Sequence, residues 1–152
     1  MHKANLKGLR RGIVIYYRNK YASVISKVSS SNKFDIIWLR IKSRHKEFMV
    51  AFFYAPGISH EEKQRVEFYD ELRLGIEKFR KKEIYLLGDS NARLGEFSGD
   101  CDIHGNTRSN KNKTLFMGLL EYTGLKYLNR IYEKGKPTYE IWGKKDLLST
   151  WH

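Results

Sequence analysis

Apolar and polar positions alternate along this chain with two different periods, and the change of period divides it. Up to residue 54 the period is that of strands. Runs rich in β-branched and aromatic residues at 12–18, 21–28, 34–41 and 48–54 predict four strands in meander order. Asn19-Lys20 separates the first two as a turn and predicts a hairpin between them. In the third run Ile37, Leu39 and Ile41 share one face. Ala55-Pro56-Gly57 stops the fourth, because proline cannot donate to a strand ladder. The period then becomes helical. Val66, Tyr69, Leu72, Leu74, Ile76 and Phe79 predict a buried stripe on a helix that ends near Arg80, with Ser59 and Glu62 spaced as a capping box. The basic cluster Arg80-Lys81-Lys82 suits the negative end of that helix.

Residues 84–87 form a short run that is apolar on both faces, the pattern of a strand covered on both sides. Gly88 ends it. Asp89 and Asn91 follow on the loop at the carboxyl end, where open α/β sheets place their chemistry. Residues 93–113 are polar and rich in Gly and Asn, which predicts a long loop. A short helix is expected over 115–122, stopped by Gly124 in a left-handed conformation. Strands are expected at 125–128 and 138–142. The resulting fold class is α/β with α+β character, a mixed or antiparallel sheet with flanking helices.

With 152 residues, the chain suits one domain with a real core. Its single cysteine, Cys101, precludes an internal disulfide framework and fits a reducing, intracellular compartment, nuclear or cytoplasmic. Neither a secretory signal nor an apolar run of membrane-spanning length is present, so no membrane partner is expected. Charge changes the picture more. The net charge is +12, and residues 1–46 hold twelve Lys/Arg against one acid, Asp35. The remainder is almost balanced, with seventeen against sixteen. Such asymmetry points to a polyanionic partner, above all nucleic acid.

Three segments then fall in a telling order: Val50-Ala51-Phe52-Phe53-Tyr54-Ala55-Pro56, Gly88-Asp89-Ser90-Asn91-Ala92-Arg93, and Lys136-Pro137-Thr138-Tyr139, with Asp102-Ile103-His104-Gly105-Asn106-Thr107 between the last two. This order resembles the endonuclease/exonuclease/phosphatase superfamily, related in fold to deoxyribonuclease I. It is most similar to the endonuclease domains linked to reverse transcriptases in non-LTR retrotransposons. The resemblance implies part of a four-layer α/β sandwich over residues 11–142, with a basic, frayed lead-in at 1–10 and a divergent tail at 143–152.

It also implies metal-assisted phosphodiester cleavage with Mg²⁺ or Mn²⁺, on DNA rather than RNA. By position Asp89 would orient or deprotonate the attacking water and contribute a metal ligand. Asn91 would hold the nucleophile or the phosphate, and Tyr54 would reach a phosphate oxygen. Thr138 and His104 are further candidates. Those residue types suit the chemistry: carboxylates serve as bases or hard-cation ligands, while amides and phenols donate to developing phosphoryl charge.

The departures are equally specific. Ser90 replaces the family's aromatic residue. The family's early metal-binding Glu, its Ile-Asp strand and its Asp-His pair have no counterparts, since Asp146 and His152 stand in other contexts. The chain is therefore expected to be a middle slice of the domain with little or no nuclease activity. The alternative is a non-catalytic nucleic-acid-binding remnant. Gly88-Asp89-Ser90 also matches the first block of SGNH-type serine esterases, but the partner Asp-x-x-His near the C-terminus is missing.

Overall fold

The computed structural model describes residues 2–4, 12–95 and 109–128. The candidate residues His104 and Thr138, the positions Cys101, Asp102, Asp146 and His152, the predicted strand at 138–142, and most of the loop at 93–113 lie outside the described residues. Elements in chain order are β1 (His2–Ala4), β2 (Ile13–Ile15), β3 (Ile25–Ser30), β4 (Asp35–Lys42), β5 (Glu47–Tyr54), α1 (Glu62–Lys78), β6 (Glu83–Asp89) and α2 (Lys111–Thr123). The class is mixed α/β. Strands β3-β4-β5-β6 form one sheet, antiparallel except for the β5–β6 pair, which is parallel. A parallel neighbour needs a crossover, and α1 supplies it.

The sheet is built around β4, whose alternation serves two cores. Ile36 and Trp38 face the helices, where they meet Met49, Ala51 and Phe53 of β5, Phe68, Leu72 and Ile76 of α1, and Phe116 and Leu119 of α2. Ile37 and Leu39 face the other way and bury against Ile15, with Ile13, Ile25 and Phe52 around them. Strands β1 and β2 form a separate two-stranded sheet over that second face, with His2 opposite Ile15. Among the described residues no helix is long and apolar enough to cross a membrane.

Several expectations from the sequence are corrected. The first two predicted strands do not form a hairpin. Residues 13–15 pair with β1, and Asn19–Tyr21 make a turn of 3-10 helix closed by the Tyr21 N–H to the Arg18 carbonyl at 2.9 Å. Asn19-Lys20 has no glycine for the left-handed positions of a two-residue hairpin turn, so the chain swings to the other sheet instead. The lead-in is not wholly frayed, since His2–Ala4 form β1.

Helix α1 starts at Glu62 with Glu61 at its N-cap and no side-chain cap, so the Ser59–Glu62 capping box is absent. Buried Arg65 holds that entry loop, donating to the carbonyls of Ile58 at 3.0 Å and His60 at 2.8 Å. The buried stripe is Arg65, Phe68, Tyr69, Leu72 and Ile76, while Val66 and Leu74 stay exposed. Residues 125–128 form no strand; Leu125 and Tyr127 pack on the helical side of the core, with Tyr127 edge-on to Phe116 at 5.9 Å. Finally, β6 buries only one face among the described residues. Ile84 and Leu86 pack inward, but Tyr85 and Leu87 are 39% and 50% exposed. Gly124 does end α2 as expected, with φ of 71°.

Candidate functional site

The site lies at the carboxyl ends of β5 and β6. Pairing aligns Asp35 with Tyr54 across the antiparallel β4–β5 ladder and Tyr54 with Asp89 across the parallel β5–β6 ladder. Residues directly opposite in register project from the same face. A carboxylate, a phenol and a second carboxylate therefore stand in a row across three strands, on the face away from the helices. Asp35 is buried, whereas Tyr54 and Asp89 are exposed. Beside the row opens a cleft of about 520 Å³ bordered by Ile13, Val14, Asp35, Tyr54, Leu87 and Gly88.

Gly88 matters here because of close approach. A Cβ built on it would lie 1.9 Å from the Phe53 carbonyl oxygen. Only glycine lets β6 reach this far along β5 and deliver Asp89 opposite Tyr54. The ladder continues past the strand ends, with the Ala55 N–H donating to the Asp89 carbonyl at 2.8 Å.

Beyond Asp89 a set of asparagines fixes the loop. The Asn91 N–H donates to Asp89 Oδ1 at 2.7 Å, closing an Asx turn. Asn91 itself has φ of 48°, a left-handed conformation that asparagine tolerates better than most side chains. Its Nδ2 donates to the Ala55 carbonyl at 2.6 Å, so the amide ties this loop to the end of β5. Asn110 caps α2 by accepting from the Lys113 N–H, and its Nδ2 donates to the Asn91 carbonyl at 2.8 Å. Asn112 is fully buried and donates to the Pro56 carbonyl at 2.9 Å and the Asn91 carbonyl at 3.2 Å. The three amides bolt together the β5 exit, the β6 exit and the start of α2. From α1, buried Tyr69 adds a hydrogen bond to the Ser90 carbonyl at 2.6 Å. Burial, and then the negative charge of Asp89, pushes the Tyr69 phenol above its ordinary value, so it stays a donor.

Of the residues singled out from sequence, the structure brings Tyr54, Asp89 and Asn91 together. Asn91 Nδ2 makes a backbone contact that positions the loop. Ser90 Oγ accepts from the Ala92 N–H at 3.3 Å and completes a local turn. Asp35, Asn110, Asn112 and Tyr69 were missed as site residues. A lone acid opening an apolar strand, and an Asn-x-Asn pair ahead of an apolar run, were the available signals for the first three.

The resemblance implies a divalent metal, and the residues can be tested against it. Carboxylate oxygens are the right donors for Mg²⁺, and Asp89 and Asp35 supply two of them around Tyr54. However, the described residues contain no group of three or more His, Cys, Asp or Glu able to hold a metal. Mg²⁺ demands several fixed oxygen ligands, so the described set does not amount to a metal site. No protein-family model matches the chain, and no curated protein matches it either.

Proposed function

We propose that the chain is an endonuclease-type domain of the endonuclease/exonuclease/phosphatase superfamily by descent, which binds DNA with a phosphodiester at the Tyr54–Asp89 end and hydrolyses it weakly at most. The observation that carries this reading is the register of Asp35, at the amino end of β4, with Tyr54 and Asp89, at the carboxyl ends of β5 and β6, beside an open cleft. Tyr54 is exposed and its hydroxyl is suited to donate to a phosphate oxygen, and Asp89 is suited to accept a proton from an attacking water. The net charge of +12 favours a polyanionic substrate over a small neutral one. The order of the Tyr-Ala-Pro and Gly-Asp-Ser-Asn segments supports the family reading, as does a parallel β5–α1–β6 unit that ends both on one pole.

Weak chemistry follows from how the groups are engaged. One Asp89 oxygen accepts from the Asn91 N–H, and Asn91 Nδ2 donates to the Ala55 carbonyl, so both residues are engaged in holding the loop. The second reading, binding without cleavage, rests on the same observation.

Incubation of supercoiled plasmid with the purified chain tests the proposal, with Mg²⁺, Mn²⁺ or EDTA and beside Asp89→Ala. The expected result is salt-sensitive retention of plasmid by both proteins, with only trace metal-dependent nicking that Asp89→Ala abolishes. Absence of retention at low salt, or nicking equal in Asp89→Ala, would overturn the reading.

A further inference from the structure

Opposite the candidate site, at the amino ends of β5 and β6, two basic turns lie side by side. Register places Glu83 opposite Phe48, so the turn that joins α1 to β6 abuts the turn that joins β4 to β5. Two crossed ion pairs lock them together. Lys82 of one turn meets Glu47 at 3.0 Å, and Lys46 of the other meets Glu83 at 3.9 Å. The Lys82 hydrogen bond holds the Glu47 carboxyl below its ordinary range. These pairs engage Glu47 and Glu83, and Lys42, Arg44, Arg80 and Lys81 are exposed beside them, with Glu47 also near Lys42 and Glu77 near Arg80. A helix C-terminus accounts for one or two cations by its dipole, but not for a second basic turn beside it.

We propose that this pole is a second nucleic-acid contact, an anchor for the phosphate backbone of a duplex whose other end engages the Tyr54–Asp89 site. The inference rests on the proposed nucleic-acid function. Eight-residue β5 separates the two poles by roughly 23 Å at ~3.3 Å per residue, about seven steps of a duplex at ~3.4 Å each. The chemistry favours a nucleic acid over a lipid surface. The two turns carry cations and small polar residues, with Ser43 and His45 between Lys42 and Lys46, and no exposed apolar side chain to enter an acyl layer. On the neighbouring 3-10 turn, Lys20 lies 5.0 Å from the centre of the exposed Tyr21 ring, a further cationic and stacking surface.

The test uses the full chain with EDTA present and a labelled DNA duplex of about 24 base pairs, long enough to span both poles at ~3.4 Å per step. Binding is measured against KCl for the natural chain, the double variant Arg44→Gln/Lys81→Gln, and the charge-matched control Lys27→Gln/Lys126→Gln. Removing two phosphate contacts is expected to lower the slope of log affinity against log salt by about 2 and weaken binding about tenfold at moderate salt. The control should keep the natural slope. Equal losses in both double variants would show a general charge effect and overturn the anchor, as would an unchanged slope in the Arg44/Lys81 variant. Tighter binding to phosphatidylserine-containing vesicles than to the duplex, lost in the same variant, would overturn it in favour of a membrane. Asp89→Ala separates the two proposals: an intact Arg44/Lys81 dependence in that background shows the anchor standing even where cleavage does not.

Discussion

Asn112 illustrates how much of the site depends on residues that never face it. Its amide is fully buried and donates to the Pro56 and Asn91 carbonyls, which belong to different strand exits. Replacing it with alanine removes both donors and strands the Pro56 carbonyl. A loss of about 1–3 kcal/mol is expected, read as a lower urea midpoint with an unchanged slope. Tyr69 provides a pH-dependent check of the same loop. Its phenol titrates above its ordinary value of 10.0 in the folded chain because of burial and then Asp89. Its contribution is therefore complete below the unfolded-state value and is lost as pH rises past 10, where the unfolded chain ionises first. Stability should fall more between pH 8 and pH 11 in the natural chain than in Tyr69→Phe, by urea titration at each pH. The end of β5 beside Tyr54 was legible in the sequence because Pro56 follows it, whereas Gly88 does not end β6, which runs on through it to Asp89. Asp35 and Asn112 were not legible, since each acquires its role only through a partner far away in the chain: Tyr54 in the ladder for one, Pro56 and Asn91 for the other.

At the scale of elements, strong local periodicity was a good guide and turn chemistry a poor one. Runs 34–41 and 48–54 became β4 and β5 nearly as expected, because apolar side chains on both faces leave few ways to bury them. The hairpin and the capping box failed for local reasons that only packing reveals: Asn19-Lys20 forms a 3-10 turn, and Arg65 rather than Ser59 secures the entry to α1. Strand β6 shows both outcomes. Its position was legible, but its outer face, with Tyr85 and Leu87, stays open among the described residues. Its reach along β5 depends on Gly88. In Gly88→Ala the new methyl would collide with the Phe53 carbonyl, where a built Cβ lies 1.9 Å away. Backbone cannot yield as a flexible side chain does, so a loss of at least roughly 1–3 kcal/mol is expected in chemical denaturation.

For the whole molecule, the sequence showed that positive charge is concentrated early in the chain, but not how folding would distribute it. The sheet joins part of that early excess, at Lys42, Arg44 and Lys46, to a later basic turn, and it does so at the pole away from Asp89. The chain thus has a carboxylate–phenol row at one end of its sheet and a cationic platform at the other. On the proposed reading, a duplex lies along the strands with a backbone phosphate at Tyr54. Amide NMR shifts during titration with a short DNA duplex, in EDTA and at low salt, test this most directly. Two clusters of shifted residues are expected, one at Tyr54, Ala55 and Asp89 to Arg93, the other at Ser43 to Lys46 and Arg80 to Glu83. Shifts confined to the basic pole, or scattered with no cluster at the strand exits, would contradict the claim that this end handles a phosphodiester.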